Sequence, residues 1–385
     1  MFAQIKIMRR LGLIWLSVYQ LCSLSDGFSQ TSHVAMNRPQ RDSQSIQAPV
    51  KSVALSLHFE LPELGLTYER CLDHAKDLGA SHVTLIVQAQ MEEVSSSTII
   101  FEGNESTSFD TLTEVIKLAK SKGLKVILFP ILWIQNRAEG EWRGTLNPKD
   151  RDRWWSAYES WMISLATLGE HNQVEVLSIG SELSSMEEES GRWRAMIRRL
   201  RVSFSGALTY SANWDHFEQV SFWDLLDIIG MTAYYPLLEG DQPFRIHPSH
   251  SERVLKEMID RWKMIRLSLT DWLERTYPDR MIFFTELGYP SQVGGAHKPW
   301  HYLQSNEVDL EVQRVAYEAF QIAWQGEQRL RGVNIWNIWG LGGPEDAWYT
   351  LRGKPASGEV KHLFQSLDAS HLFGHKSGSA RVKSR

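Results

Sequence analysis

Val176-Leu177-Ser178-Ile179-Gly180-Ser181-Glu182 is a short run rich in apolar side chains that closes abruptly on a carboxylate. Apolar and polar residues do not alternate strictly along it, which is the pattern of a strand covered on both faces. Amphipathic stretches flank it at 152–168 and 190–201, where apolar residues recur at helical spacing. The same alternation extends outward in both directions. Comparable apolar runs occupy 53–58, 82–87, 126–129, 207–211, 228–232, 281–285 and 332–336. Helices are predicted between most of them. Tyr68, Cys71, Leu72, Ala75 and Leu78 share one face before Gly79 supplies a C-cap, and Leu112, Val115, Ile116 and Ala119 do so before Gly123. Further helices fall at 250–274, 309–324 and 360–367. Eight strand–helix units of this kind close into a single-domain (β/α)8 TIM barrel of the α/β class. A doubly wound open sheet is the alternative, but it calls for a glycine-rich first turn that is missing here.

Composition narrows the function. The chain has 385 residues, 43% hydrophobic and 23% charged, and a net charge of −5, so it is a globular protein without the basic excess that grips phosphates. Nucleic acid is therefore not an expected partner, and a monomer is. Lys6, Arg9 and Arg10 precede an apolar stretch at 11–22 that is too short to span a bilayer. This reads as a signal peptide over 1–29, cleaved after Ser29, with an uncleaved anchor as the alternative. The expected product is secreted or periplasmic and free of the membrane. A polar linker follows at 30–50, then the catalytic domain at 51–367 and a basic, disordered tail at 368–385 that holds Lys376, Arg381, Lys383 and Arg385. Only Cys22 and Cys71 occur, and the first lies in the signal, so no intramolecular disulfide is expected in the mature chain. Zinc motifs, a Walker loop, a Gly-x-Ser-x-Gly elbow and a dinucleotide fingerprint are all missing, and Gly340-Leu341-Gly342-Gly343-Pro344 reads as a loop. No cofactor and no metal are called for.

In such a barrel the active site lies where the strands end. Gln88 and Gln90 follow the second strand, Trp133, Trp142 and Arg143 the third, and Asn213-Trp214-Asp215 the fifth. Tyr234-Tyr235 follows the sixth strand, and Trp336, Asn337 and Trp339 follow the eighth. Seven of the 16 tryptophans fall in such loops or at strand ends, so the aromatic excess is more than a core feature. Flat rings beside amides, phenols and carboxylates suit a sugar cleft, since a pyranose stacks its aliphatic hydrogens on a ring and needs polar partners at its rim. Glycoside hydrolysis then requires two carboxyl groups about the scissile bond. Glu182 and Glu286 each end an apolar strand, the fourth and the seventh, and the desolvation this imposes raises a carboxyl pKa. Either one alone could be a helix-start residue or an ion-pair partner. The run Glu187-Glu188-Glu189 is expected to be a solvated face at a helix start.

Ser178-Ile179-Gly180-Ser181-Glu182-Leu183 and Phe284-Thr285-Glu286-Leu287-Gly288-Tyr289-Pro290-Ser291 resemble the acid/base and nucleophile strands of glycoside hydrolase family 113. That family comprises β-1,4-mannanase-like barrels of a retaining clan. Trp142-Arg143-Gly144, Ala233-Tyr234-Tyr235-Pro236-Leu237 and Gly353-Lys354-Pro355-Ala356 extend the similarity, in order, along most of the chain. The resemblance implies retaining hydrolysis of a β-linked polysaccharide or oligosaccharide, mannan foremost, with gluco- or galacto-configured chains or a non-catalytic sugar-binding barrel as alternatives. It implies Glu286 as nucleophile and Glu182 as acid/base, with Tyr234 orienting Glu286 and Trp336 flooring the subsite at the cleavage point. Trp339, Trp142 and Trp214 would be outer platforms, and Asn213 and Gln88 hydroxyl partners; rim packing is the competing role for Tyr234 and the three outer rings. Two positions depart from the pattern: Ser181 stands where the wider clan carries Asn, and strand three reads Leu128-Phe129-Pro130 where a basic residue is expected.

Overall fold

The computed structural model describes residues 48–57, 67–101, 107–240, 243–338 and 340–377. The expected signal peptide, most of the linker and Trp339 lie outside the described residues. Eight parallel strands close a barrel in sequence order: β1 (Val50–Ser56), β2 (His82–Met91), β3 (Lys125–Ile134), β4 (Val176–Ser181), β5 (Ala207–Ala212), β6 (Ile228–Thr232), β7 (Ile282–Leu287) and β8 (Leu330–Ile335). The outer ring comprises α1 (Tyr68–Asp77), α2 (Phe109–Ser121), α3 (Arg151–His171), α4 (Ser190–Ser203), α5 (Ser251–Thr276), α6 (Leu310–Trp324) and α7 (Ala356–Ser377). Short 3-10 turns, Phe217–Gln219 and Trp223–Leu225, replace an α-helix between β5 and β6. Among the described residues no helix is long and apolar enough to cross a membrane.

Strand β2 runs on to Met91, so Gln88 and Gln90 lie within it rather than after it, and three further boundaries differ from the sequence reading for a physical reason. The linker expected through residue 50 ends sooner, because Val50 is buried in the barrel floor and pairs with Gly332 to close β1 on β8. A Cβ at Gly332 would overlap the Val50 carbonyl, so the closure requires glycine there. Strand β3 runs to Ile134, straight through Pro130. Lys125 N–H bonds to Ser81 O and Gln135 N–H to Met91 O, so odd-numbered residues of β3 face β2, while Val126 O accepts from Glu175 on the β4 side. Pro130 therefore turns its missing donor toward β4, whose pairing with β3 stops at Leu128, and no ladder bond is lost. Finally, α7 continues beyond Leu367 to Ser377, into the expected tail, and Asp368 on it holds Lys51 of β1 at 2.6 Å.

Inside the barrel, Val50, Ile127, Val176, Ala207, Ile228 and Phe283 form an apolar floor. Above it lies a belt of small polar side chains: Ser52 meets Thr84 at 2.8 Å, Ser211 meets Thr285 at 2.6 Å, and Asn334 donates to Thr285 O at 2.8 Å. Most tryptophans of known placement serve the outer shell. Trp154, Trp155, Tyr158 and Trp161 on α3 interlock with Trp193 on α4, and Trp193 stacks on Phe222 at 4.9 Å. Edge-to-face and stacked contacts of this kind add to the burial of large rings. Trp193→Ala should cost about 3–5 kcal/mol in urea unfolding. Val202→Ala, at a 75% exposed position of the same helix, should stay within about 0.5 kcal/mol of wild type. Equal costs at the two sites would contradict this account of the shell.

Candidate active site

The local chain at the end of β4 is set by what lies beneath it. Tyr158 OH donates to Ile179 O at 2.9 Å, and a Cβ at Gly180 would stand 2.7 Å from that hydroxyl and 3.0 Å from the Tyr210 ring. The ladder to β5 shifts register between Ser178 and Ser181, and Glu182 then adopts a left-handed backbone at φ +54. For a residue with a side chain that conformation costs roughly 1–3 kcal/mol unless its surroundings hold it. Here the flanking peptides are held: Glu182 N–H donates to Ser211 O at 2.8 Å and Leu183 N–H to Tyr210 OH at 2.9 Å. Tyr210 OH in turn donates to Glu187 Oε1 at 2.6 Å, and His216 Nδ1 meets Glu187 Oε2 at 2.7 Å.

That network corrects the reading of Glu187-Glu188-Glu189 as a solvated face. Only Glu188 is exposed. Glu187 is 1% exposed, and burial pushes its carboxyl pKa up. Glu189 accepts from Arg151 at 2.5 Å and from Trp155 Nε1 at 2.9 Å. The run precedes α4 in a turn folded back over β5, so two of its carboxylates meet donors rather than water.

Glu286 is the next-to-last residue of β7 and is 2% exposed. Its Oε2 accepts from Tyr234 OH at 2.8 Å, and its Oε1 accepts from Ser181 Oγ at 3.4 Å. Tyr234 is placed by its neighbour, whose Ala233 N–H donates to Glu286 O at 2.7 Å. Glu182, 6% exposed, accepts from Arg143 Nη2 at 2.5 Å. Arg143 opens the turn Arg143–Thr145 after β3 and lies against the Trp142 ring, 6.0 Å from its centroid. Its field reaches Glu286 as well as Glu182. The site thus gathers two carboxylates, a guanidinium, a phenol and a serine hydroxyl at one mouth of the barrel. Burial first, then the neighbouring Glu182, raises the Glu286 carboxyl from its ordinary 4.5 to about 8, against the opposing pull of Arg143, Tyr234 and Ser181. Among the described residues no group of three or more His, Cys, Asp or Glu side chains could hold a metal ion.

The sequence-predicted residues divide accordingly. Glu182, Glu286 and Tyr234 come together. Trp336 packs on the interior cluster of Ala54, Ile86, Phe129 and Ile131 and is partly open. Trp142 is half-buried beside Arg143, while Trp214 stacks on Trp300 at 5.8 Å and meets Tyr235 edge-on at 5.0 Å. Asn213 Oδ1 accepts from Thr232 at 3.5 Å, and Gln88 N–H donates to Thr107; no hydrogen bond joins either amide side chain to the glutamates. Sequence reasoning missed the link from Arg143 to Glu182. Its only signal was a cation beside a tryptophan in the loop after strand three, and it brings to the site the basic group that Pro130 does not supply.

The model of Glycoside Hydrolase Family 113 matches residues 67–342. The chain belongs to glycoside hydrolase family 113, and it is an O-glycosyl hydrolase. A family 113 β-mannanase from Alicyclobacillus acidocaldarius is 26% identical, with a TM-score of 0.70 over 83% of this chain and 98% of its own. A further structure titled as a family 113 β-1,4-mannanase (23% identity, TM-score 0.69, 83% and 99% covered) shares the fold, as does a family 5 mannosidase from Rhizomucor miehei (10%, 0.54, 85% and 94%). No curated protein matches the chain.

The raised Glu286 carboxyl has a consequence for stability. In the unfolded chain it ionises near 4.5, and in the folded protein only near 8. The stability its protonated form contributes is complete below the lower value and lost as pH rises through the upper one. Glu286→Gln escapes that loss. Its melting temperature should approach wild type near pH 4 and exceed it by at least about 2 °C at pH 8. A difference independent of pH would contradict the burial of this charge.

Proposed function

We propose that this family 113 enzyme hydrolyses β-1,4-mannan or its oligosaccharides with retention of configuration, with Glu286 as nucleophile and Glu182 as acid/base. The observation that carries the assignment is the pairing itself: two buried carboxylates at the ends of β4 and β7, one facing Arg143 and the other held by Tyr234 and Ser181. The mannan specificity is supported by the 26% identical β-mannanase. Export fits Lys6, Arg9 and Arg10 ahead of an apolar stretch.

In glycosylation Glu286 attacks the anomeric carbon while Glu182 gives its proton to the departing oxygen; in deglycosylation Glu182 takes a proton from water, which displaces Glu286. Tyr234 and Ser181 aim the attacking carboxylate. The competent form of the pair holds one proton, in keeping with the raised Glu286 carboxyl. Attack requires that proton on Glu182 and leaves Glu286 ionised. Activity as kcat/KM should therefore be bell-shaped, with an alkaline limb near pH 8 that belongs to the pair. A rate flat from pH 4 to 9 would argue against a shared proton.

Azide separates the two roles. Glu182→Ala should retain glycosylation of an aryl glycoside with a good leaving group, accumulate the covalent intermediate, and be rescued by azide to give a product of retained configuration. Glu286→Ala, if rescued, should give the inverted azide, because azide fills the space of the missing carboxylate. Proton NMR of the glycosyl azides reads the outcome, and the opposite pattern would exchange the assignments.

A further inference from the structure

Glu187 is a buried carboxylate that the proposed chemistry does not use. It stands where three segments meet: its own turn after β4, strand β5 through Tyr210, and the loop after β5 through His216. Both of its oxygens are engaged, Oε1 by Tyr210 OH at 2.6 Å and Oε2 by His216 Nδ1 at 2.7 Å. Burial pushes its carboxyl up, Tyr210 and His216 pull it back, and the nearby Glu182 opposes them. A carboxylate kept from water in this way costs stability unless its bonds offset the loss.

Those bonds lead to Glu182. A phenol has one proton to give. Tyr210 gives it to Glu187, so its oxygen is left to accept, and it accepts from Leu183 N–H at 2.9 Å. That amide lies in the peptide joining Glu182 to Leu183, and its plane fixes the exit from the left-handed residue. The entry is fixed by Glu182 N–H on Ser211 O at 2.8 Å. Tyr210 and Ser211 are consecutive on β5, so one strand holds both sides of Glu182. The Ser211 anchor is a backbone carbonyl that any residue there supplies. The Tyr210 anchor depends on one side chain and on the acceptor that directs its proton. Its ring is caged by Trp193 at 5.3 Å, Phe222 at 5.4 Å and Trp223 at 6.1 Å. Bonds linked in series from amide through phenol to carboxylate polarise and strengthen one another. Half-buried His216 ends the series, and its own N–H on Asn213 O at 2.9 Å seats it in the loop after β5.

We propose that Tyr210, Glu187 and His216 are positioning residues for proton transfer by Glu182: acting through the Leu183 amide, they keep its carboxyl aimed at the leaving oxygen. The inference rests on the acid/base assignment above and deepens it. Losing the network should then hurt a glycoside in proportion to its leaving group's need for a proton, whereas a general loss of stability hurts all substrates alike.

The test uses phenyl and 2,4-dinitrophenyl β-mannobioside, the first with a leaving oxygen that needs a proton and the second with one that does not. The quantity read is kcat/KM for the phenyl substrate divided by kcat/KM for the dinitrophenyl one. Tyr210→Phe and Glu187→Met should each lower that ratio roughly tenfold, in the direction of Glu182→Ala. Glu187→Gln, which keeps an acceptor for the phenol and offers a donor to the imidazole, should recover most of it. His216→Ala, at a half-buried site outside the aromatic cage, reads the ratio even if Tyr210→Phe does not fold, and should lower it by a smaller factor. Two rates that fall together with their ratio unchanged mark a merely structural network and overturn the proposal. A ratio lowered in Glu182→Ala alone overturns the positioning and leaves the acid/base assignment standing; a ratio unchanged in Glu182→Ala as well overturns that assignment. Hydrogen exchange at the Leu183 amide, read by mass spectrometry, needs no substrate. It should speed roughly tenfold in Tyr210→Phe and rise in Glu187→Met, and exchange unchanged in both overturns the anchor whichever sugar is cleaved.

Discussion

The structure is organised around two carboxylates held side by side where little water reaches them. Glu286 is 2% exposed and Glu182 6%, and the neighbouring Glu182 adds to the burial that raises the Glu286 carboxyl. Two like charges in such a place are tolerable only with nearby donors and a shared proton. The chain supplies both: Arg143 faces Glu182, Tyr234 and Ser181 face Glu286, and burial lifts the Glu286 carboxyl to about 8. Ser181 thus bonds Glu286 from the position where an asparagine was expected. The same burial that weakens the fold at neutral pH raises the Glu286 carboxyl, which suits the proposed sharing of one proton.

Much of the remaining fold keeps this pair in register. Glu182 has a left-handed backbone, so the peptide on each side of it is tied down, one to Ser211 O and one to the Tyr210 hydroxyl. Tyr210 is in turn anchored by buried Glu187 and packed among Trp193, Phe222 and Trp223. Shifts in strand register fall next to each glutamate, between Ser178 and Ser181 on β4 and between Met231 and Thr232 on β6 beside β7. Such irregularities re-aim a side chain. The aromatic shell outside and the small polar belt inside together hold those bent strands in place.

The sequence reads clearly where one physical requirement dominates. Ile282-Phe283-Phe284-Thr285-Glu286 must be a buried strand ending at a mouth, because nothing else reconciles that apolar run with its terminal carboxylate. Helical spacing located the seven α-helices of the described residues, and the ends of β4 and β7 pointed to Glu182 and Glu286, which the structure brings to one mouth. Legibility failed where two requirements competed. Pro130 reads as a strand end, and only the unpaired β4 side lets β3 continue. Val50 reads as the last residue of the linker, yet it opens β1 and pairs with Gly332. Glu187-Glu188-Glu189 looks like a charged surface, and burial against Tyr210 and His216 depends on contacts more than twenty residues away. Arg143 was visible as a loop cation, but its partner lies 39 positions along the chain, a pairing set by the closed barrel.

The central claim is that Glu286 forms a covalent bond with the sugar while Glu182 manages the proton. Incubation with a 2-deoxy-2-fluoro-β-mannosyl fluoride tests it directly, since the fluorine at C2 slows the second step and the fluoride leaving group needs little protonation. Mass spectrometry of the intact chain should show one added fluorosugar, and peptide mapping should place it on Glu286 within Phe284-Thr285-Glu286-Leu287. Label on Glu182, or an active enzyme that takes up no label and releases inverted product, would contradict the account.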